Sequence, residues 1–225
     1  AVLVAALGLP GPALAVDPRR PLAEMGHDTW TTREGLPQNT VEAMVQTRDG
    51  YLWLGTQEGL ARFDGVRFTV FDRGNTRALG HNRILALLPA RDGTLWLGTE
   101  GGGLTSYREG RFETLSTADG LPSDTIRALR EDQSGRLLVG TDGGLVLRDG
   151  RRLRTFRTAD GLPADGVRSI LSGKAGLWVG TVAGLARLEG DRFVPEGPRE
   201  SVNALLEDRN GTIWAGTPRG LWERP

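Results

Sequence analysis

The 225-residue chain contains no cysteine, and this absence excludes three kinds of chemistry. Without thiols the chain forms no disulfide bonds, offers no thiolate ligands to a metal and has no cysteine nucleophile. Histidine is also scarce: the chain has only His27 and His81, and they do not have a metal-ligand spacing. No Asp-rich segment has the pattern of a calcium loop. We therefore expect no metal site and no cofactor.

The chain also lacks a net charge and a long apolar run. Lys+Arg and Asp+Glu number 28 each, so there is no basic footprint of a nucleic-acid binder. Residues 1–15, AVLVAALGLPGPALA, are uncharged and apolar. They are shorter than the ~20 residues of a membrane span and end in a small-x-small cleavage pattern. We expect residues 1–15 to be a signal peptide remnant, residues 16–27 a linker and residues 28–225 one domain. An apolar leader that is never cleaved is the alternative.

Glycine and repetition are what the sequence has in abundance. One sequence pattern occurs five times in the chain, which has 33 glycines in all. The pattern is an apolar strand, a Gly turn, a short run that usually carries Trp, then Gly-Thr and finally Gly-Leu. A period near 40 residues built from short strands predicts an all-β fold, a β-propeller of four-stranded antiparallel blades. The five repeats form either a closed five-bladed propeller or a fragment of a seven-bladed one. The Gly-Thr pairs are Gly55-Thr56, Gly98-Thr99, Gly140-Thr141, Gly180-Thr181 and Gly216-Thr217.

The first repeat shows how each blade is expected to form. Strands A to D are predicted at residues 41–45, 52–56, 60–63 and 67–71, separated by turns such as Asp49-Gly50. The tryptophan of strand B recurs at one blade position, which favours packing between blades over stacking on a ligand. The four tryptophans are Trp53, Trp96, Trp178 and Trp214.

The ends of the repeat region are expected to complement each other. Alignment of the Gly-Leu-Pro linkers predicts an outer strand near Asp28–Thr32, whereas the fifth repeat stops after its strand C. The first segment could then complete the last blade and close a five-bladed propeller. Truncation of a larger propeller is the alternative.

The core pattern DG-x-L-W-x-G-T-x-x-GL-x-R and the linker GLP-x-(N/D)-x-(V/I) resemble the two-component regulator propeller repeats over residues 28–224. The resemblance implies a periplasmic sensor region of a bacterial signalling protein. In that family, seven-bladed propellers precede an immunoglobulin-like domain, a membrane helix and a histidine kinase or diguanylate cyclase. The present chain departs in having five repeats and none of those parts, which favours an N-terminal fragment. The membrane would be reached through a downstream segment, and a homodimer of the full-length protein is a further expectation.

The segment itself is expected to be a ligand-sensing module and not an enzyme, because no catalytic constellation is visible. A propeller enzyme (a lyase or glycosidase) and a protein-interaction scaffold are the alternatives. The polar positions that vary on the repeated frame are the candidate sites for a small molecule or an oligosaccharide. Arg127 and Arg168 share one position in adjacent blades, so they could hold an anionic group. They could instead pair with Asp124, Asp165 or Glu42. The candidate residues are Asn39, Glu42, Asn82, Arg83, Asp124, Arg127, Asp165, Arg168 and Asn203.

Overall fold

The computed structural model describes residues 28–224, so the expected signal peptide remnant at 1–15 and the linker at 16–27 lie outside the described residues. The described residues form 19 strands in five antiparallel sheets, which we call blades 1 to 5. Blade 1 comprises β1 (Val41–Gln46), β2 (Leu52–Thr56), β3 (Gly59–Phe63) and β4 (Phe68–Phe71). Blade 2 comprises β5 (Ile84–Pro89), β6 (Leu95–Thr99), β7 (Leu104–Arg108) and β8 (Arg111–Leu115). Blade 3 comprises β9 (Ile126–Glu131), β10 (Leu137–Thr141), β11 (Gly144–Asp149) and β12 (Arg152–Phe156). Blade 4 comprises β13 (Val167–Gly173), β14 (Gly176–Thr181), β15 (Gly184–Glu189) and β16 (Arg192–Pro195), and blade 5 comprises β17 (Ala204–Glu207), β18 (Ile213–Thr217) and β19 (Gly220–Arg224).

The prediction of an all-β propeller with five repeats is confirmed. The strands of each blade are joined in chain order, and the helical elements among the described residues are two 3-10 turns, Thr117–Asp119 and Thr158–Asp160. Within residues 28–224 no helix is long and apolar enough to span a membrane.

The glycine of each Gly-Thr pair allows one blade to approach the next. A Cβ atom at Gly55 would lie 2.8 Å from Cγ2 of Ile84, the first residue of the next inner strand. A Cβ at Gly98 would lie equally close, at 2.8 Å, to Cγ2 of Ile126. Real Cβ atoms do not come this close to a neighbour, so only glycine fits without a shift of the next blade.

The threonine of each pair closes the turn between the second and third strands. Its hydroxyl donates to the carbonyl oxygen of the glycine that opens the third strand, as from Thr56 to Gly59 at 2.8 Å and from Thr141 to Gly144 at 2.8 Å. Thr56 and Thr141 are fully buried, and a buried hydroxyl is costly without such a partner. The pair therefore combines close packing with a satisfied polar group.

The core of the protein lies between blades. Trp53 packs with Leu60 of its own blade against Ile84, Leu95 and Leu97 of blade 2. The predicted burial of the tryptophans is confirmed for Trp53, Trp96 and Trp178. Trp214 is partly exposed instead, because it lies on the face of blade 5 that no described blade covers.

The linkers between blades also contribute to these cores. The leucine of the Gly-Leu-Pro linker is buried in the interface that follows it, as Leu121 is between blades 2 and 3 and Leu162 between blades 3 and 4. The second linker lacks the Gly-Leu-Pro sequence, yet Leu79 takes the same buried place between blades 1 and 2. Burial of an apolar side chain at this point is thus the shared property of the linkers.

The predicted outer strand near Asp28–Thr32 is wrong. Residues 28–31 have no regular secondary structure, and residues 32–35 form a turn. The Leu36 N–H donates to the Thr31 carbonyl, as the Leu121 N–H does to the Ser116 carbonyl. The segment from Thr31 to Leu36 is therefore a linker turn, and blade 5 keeps three strands.

The inner strands pack in series, β1 on β5, β5 on β9, β9 on β13 and β13 on β17. Among the described residues no comparable packing joins β17 to β1. The closed five-bladed arrangement is therefore not observed, and one face of blade 1 and one face of blade 5 remain outside the series of blade interfaces.

Candidate functional site

The candidate site follows the ends of the inner strands, where the linkers enter the blades. The first residue of the turn after each Gly-Thr pair lies beside this entry point. The Glu100 N–H donates to the Arg83 carbonyl at 3.0 Å, and the Asp142 N–H donates to the Thr125 carbonyl at 3.2 Å. In blades 2 and 3, charged side chains from two parts of the repeat therefore meet at one edge. We call this the inner edge; it consists of Glu42, Arg83, Glu100, Arg127, Asp142 and Arg168.

Arg83 bridges blades 1 and 2 at the inner edge. Its Nη2 donates to Glu42 Oε1 at 3.0 Å, and its Nη1 donates to Glu100 Oε2 at 2.9 Å. The hydrogen bonds with Glu42 and then Glu100 raise the pKa of the Arg83 guanidinium. The positive charge of Arg83 is thereby balanced by two carboxylates. The three side chains together link blade 1 to blade 2.

Arg127 and Arg168 share a single carboxylate. Arg127 forms a bidentate pair with Asp142, with Nε to Oδ1 at 2.7 Å and Nη2 to Oδ2 at 3.0 Å. Arg168 Nη1 lies 3.8 Å from Asp142 Oδ1, which is an ion-pair distance but too long for a hydrogen bond. The three side chains remain partly exposed and together carry one excess positive charge.

The cause of this imbalance can be read from the repeats. The residue after Gly-Thr is Glu100 in blade 2 and Asp142 in blade 3, but it is Val182 in blade 4. Arg168 therefore has no acid in its own blade at this position and lies near the Asp142 carboxylate of blade 3. Glu100 and Asp142 were missed as site residues, although their fixed place after Gly-Thr was the available signal.

The alternative partners expected for the two arginines have other roles. Four of the candidate residues accept a hydrogen bond from a backbone N–H at the start of their own linker, and we call this contact the linker clasp. The clasps are Thr32 to Asn39 at 2.9 Å, Arg73 to Asn82 at 2.9 Å, Thr117 to Asp124 at 2.7 Å and Thr158 to Asp165 at 2.8 Å. Neither Asp124 nor Asp165 is the partner of an arginine here.

The remaining candidates are also engaged locally. Asn203 Oδ1 accepts a hydrogen bond from the Ser201 hydroxyl at 2.8 Å. His81 Nδ1 accepts the Arg83 N–H at 3.0 Å within the second linker, whereas His27 lies outside the described residues. In the described part of the chain, no group of three or more His, Cys, Asp or Glu side chains is arranged to hold a metal ion.

A concavity lies at the opposite end of the blades from the inner edge. It is a cleft of about 510 Å³ between blades 1 and 2, lined by Trp53 and Tyr107 together with the turns at Asp49 and Asp92. A second cleft of about 410 Å³ occupies the equivalent place between blades 3 and 4. Because these clefts repeat with the blades, they are consequences of blade spacing.

Comparison with protein families identifies the repeats. The family model described as "Two component regulator propeller" matches residues 35–58, 78–101, 120–143 and 196–219. These segments are four of the five repeats, each running from the linker to the turn after Gly-Thr. No curated protein matches the chain in sequence.

Solved structures with the same fold include extracellular domains of two-component systems and a lyase. The extracellular domain of a hybrid two-component system from B. thetaiotaomicron is 22% identical with a TM-score of 0.70 over 84% of this chain. A second such domain from the same organism is 28% identical with a TM-score of 0.69 over 81% of this chain. This chain spans 27% and 26% of their lengths, about a quarter. An inactive virginiamycin B lyase from Staphylococcus aureus, solved with quinupristin, is 14% identical with a TM-score of 0.62, covering 84% of this chain and 72% of the lyase.

Proposed function

We propose, from the premise that this chain is built of two-component regulator propeller repeats, that it is the ligand-sensing module of a bacterial signal-transduction receptor. The module would work outside the cytoplasm, in the periplasm, as the extracellular domains of the B. thetaiotaomicron systems suggest by their similarity. Because the chain spans about a quarter of those domains, the output of the receptor, a histidine kinase or a diguanylate cyclase, would reside in other parts of the protein.

A non-catalytic role is supported by the chemistry of the inner edge. Its contacts are pairs between carboxylates and guanidiniums, and arginine does not release its proton in proteins. General acid–base catalysis requires a group that titrates near the operating pH. The lyase shares the fold at 14% identity, which carries no argument about activity. We therefore propose binding, and not chemistry, at this edge.

The observation that carries the ligand proposal is the shared carboxylate of Asp142. Two guanidiniums face one acid, and Arg168 has hydrogen-bond donors that Asp142 does not occupy. The fold does not require an arginine at this strand position, since Leu85 and Asn203 occupy it in blades 2 and 5. A carboxylate or sulfate on a small molecule or an oligosaccharide would complete the charge balance, and arginine binds such groups with paired donors.

Titration calorimetry with uronic-acid and sulfated oligosaccharides tests the proposal, with a neutral oligosaccharide of equal length as the ligand control. The Arg168→Ala change should weaken binding about tenfold or more, because a charged hydrogen bond is lost. The Asp142→Asn change should tighten binding, since it removes the competing carboxylate. Arg151→Ala is the matched control, because Arg151 is exposed in a turn of blade 3 away from the inner edge.

The two substitutions at the inner edge are expected to act in opposite directions. Binding of an acidic oligosaccharide that is unchanged in both variants would remove the inner edge from the site. Equal binding of the acidic and the neutral oligosaccharide would contradict recognition of an anion.

A further inference from the structure

At two of the interfaces, the later blade places an arginine over the strand B tryptophan of the earlier blade. The guanidinium carbon of Arg148 in blade 3 lies 4.8 Å from the ring centre of Trp96 in blade 2. The guanidinium carbon of Arg224 in blade 5 lies 5.2 Å from the ring centre of Trp178 in blade 4. Both arginines are the fifth residue of a third strand that opens with glycine, so the two interfaces can be compared position by position.

The two arginines differ in the residue that the outer strand of the earlier blade supplies. Arg224 Nε lies 2.5 Å from Glu196 Oε1. The Glu196 N–H donates to the carbonyl of Leu185, which is the leucine of the Gly-Leu pair in blade 4. In blade 2 the leucine of that pair is Leu104, and Leu115 lies opposite it. A leucine therefore stands in blade 2 where blade 4 has a carboxylate.

Arg148 lacks the carboxylate partner that Arg224 has. Within residues 28–224 no ion pair or hydrogen bond joins its guanidinium to an acid. Burial lowers the pKa of Arg148, and the charge of Asp92 offsets only part of this effect. The Asp92 carboxylate is already engaged, since it accepts the Thr94 N–H at 2.9 Å and lies 3.7 Å from Arg108 Nη1. A partly buried cation without a hydrogen-bonded partner is costly, and a ligand carboxylate would relieve that cost.

A cleft of about 320 Å³ lies beside Arg148, between its side chain and blade 2. Ser106 lines this cleft and is the strand partner of Trp96, as Arg187 is the strand partner of Trp178 in blade 4. The Arg187 guanidinium lies over the Trp178 ring, at 5.7 Å from its centre. The shorter serine leaves the corresponding space in blade 2 open. We call this space the Arg148 cleft; its charged lining consists of Asp92, Arg108, Glu109, Arg111, Glu113 and Arg148.

The Arg148 cleft presents charges of both signs. Three of its charged side chains are basic and three are acidic, so the lining has no net charge. Glu113 lies opposite Ser106 in the sheet, and directly opposite residues of an antiparallel pair point to the same face. Among the described residues the Glu113 carboxylate forms no ion pair or hydrogen bond. The cleft therefore offers both an uncompensated cation and an uncompensated anion.

We infer that the Arg148 cleft binds a free amino acid. The ligand carboxylate accepts paired hydrogen bonds from Arg148, as arginine and carboxylate groups do in a bidentate pair, and it replaces the missing acid of the repeat. The ligand ammonium binds the Glu113 carboxylate. A zwitterion keeps the cleft neutral, whereas an acidic oligosaccharide would bring excess negative charge to Glu109 and Glu113. This site is therefore separate from the inner edge in both position and ligand.

A thermal-shift screen of the full chain against the twenty amino acids of proteins tests for the ligand, and titration calorimetry measures its affinity. At least one amino acid should bind. Removal of either charged group from that amino acid should weaken binding about tenfold or more, because a charged hydrogen bond is lost. For leucine the two control compounds are 4-methylpentanoate and 3-methylbutylamine. Absence of binding by all twenty amino acids would overturn the inference, as would equal binding of an amino acid and its amine.

Substitution of Arg148 tests the cation. Arg148→Ala should weaken amino-acid binding about tenfold or more, and Arg148→Lys should give an intermediate affinity because lysine keeps the charge without the paired donors. Arg209→Ala is the matched control, since Arg209 is exposed in a turn of blade 5, and its affinity should equal that of the unmodified chain. Unchanged affinity in Arg148→Ala would remove Arg148 from the site.

Substitution of Leu115 tests the site while Arg148 stays in place. Leu115→Glu supplies the carboxylate that blade 4 has at Glu196, so it should compete with the ligand and suppress amino-acid binding. Leu115→Gln has the same length without the charge, and it should bind at least tenfold more tightly than Leu115→Glu. The midpoint of thermal unfolding should be higher for Leu115→Glu than for Leu115→Gln, because only the former pairs with Arg148. Equal ligand affinity in these two variants would overturn the inference.

Discussion

The glycine of the Gly-Thr pair shows how a single residue sets the spacing between blades. At Gly98 a side chain would meet both Cγ2 of Ile126 at 2.8 Å and its backbone oxygen at 2.9 Å. The backbone of the next inner strand cannot move aside without loss of its ladder hydrogen bonds. Gly216 has the same place in its own blade, but no other blade lies over it. The two glycines therefore differ only in what covers them.

Gly98→Ala should destabilise the protein by about 1–3 kcal/mol, the range for overpacking in a close-packed interior. Gly216→Ala should change the free energy of unfolding by less than about 0.5 kcal/mol, as is usual for an unconstrained site. Urea denaturation of both variants measures the difference. Equal losses in the two variants would mean that strand propensity, and not the approach of the next blade, accounts for the recurrence of this glycine in the five repeats.

Asp132 is a second residue whose effect depends on its surroundings. Burial acts to raise its pKa, but hydrogen bonds from the Arg136 N–H, the Arg136 side chain and the Ser134 N–H together lower it. Arg136 Nε donates to the carboxylate at 2.7 Å. Since the folded pKa lies below the unfolded value, the stabilisation is fully present above the unfolded pKa, which is ordinarily about 3.9. It is lost as the pH falls through the folded pKa.

Asp132→Asn should therefore reduce the free energy of unfolding at pH 6, by about 1–2 kcal/mol for the loss of a charged hydrogen bond. The difference between the variant and the unmodified chain should shrink as the pH falls below about 4. Denaturation curves recorded from pH 6 to acid measure it. A difference that stays constant over this range would show that the carboxylate charge has no part in stability.

At the level of elements, the linkers are more regular than their sequences. Of the linkers that precede blades 1 to 4, three contain Gly-Leu-Pro and the second does not, yet all four contain a linker clasp. In the linker before blade 3 the Asp124 carboxylate accepts both the Thr117 N–H and the Thr117 hydroxyl. The clasp holds the two ends of the linker turn together, so Leu121, which lies between them, is directed into the blade interface.

Asp124→Ala should cost about 1 kcal/mol, because the Thr117 N–H loses its partner. Asp124→Asn should retain most of the stability, since Asn82 makes the same clasp in the second linker with an amide oxygen. Neither change should alter the affinity for an acidic oligosaccharide. Thermal unfolding and calorimetry of the two variants measure both quantities, and a loss of ligand affinity in Asp124→Asn would return Asp124 to the binding site.

The strands could be predicted from the sequence because each turn contains Gly beside a polar residue and each strand B contains the same apolar pattern. The burial of Trp53 and Trp178 followed from their repetition. The function of Asp124 and Asp165 could not be predicted, since a carboxylate that closes a linker and one that binds a ligand have the same sequence appearance. The pairing of Arg127 with Asp142 depends on how two parts of a repeat meet in space.

At the scale of the whole molecule, the blades form a series in which each contacts only its neighbours. The stability of such an arrangement is approximately the sum of the stability of each unit and of its interfaces. Blades 2, 3 and 4 are covered on both faces by other blades. Blade 5 has one covered face and three strands, and Leu206 and Leu221 on its other face are exposed. The local stability of blade 5 should accordingly be the lowest among the five blades.

Hydrogen exchange measures this difference in local stability between blades directly. Amide protons of β10 in blade 3 should exchange only through opening of much of the series, because two interfaces must be lost to expose them. Amide protons of β18 in blade 5 should exchange faster by about tenfold or more, since loss of one interface of roughly 1.4 kcal/mol or more suffices for that factor. Mass spectrometry of peptides that cover the two strands provides the comparison. Equal protection of β10 and β18 would contradict independent interfaces and would indicate that the five blades unfold as one cooperative unit, with the exposed face of blade 5 contributing no local weakness.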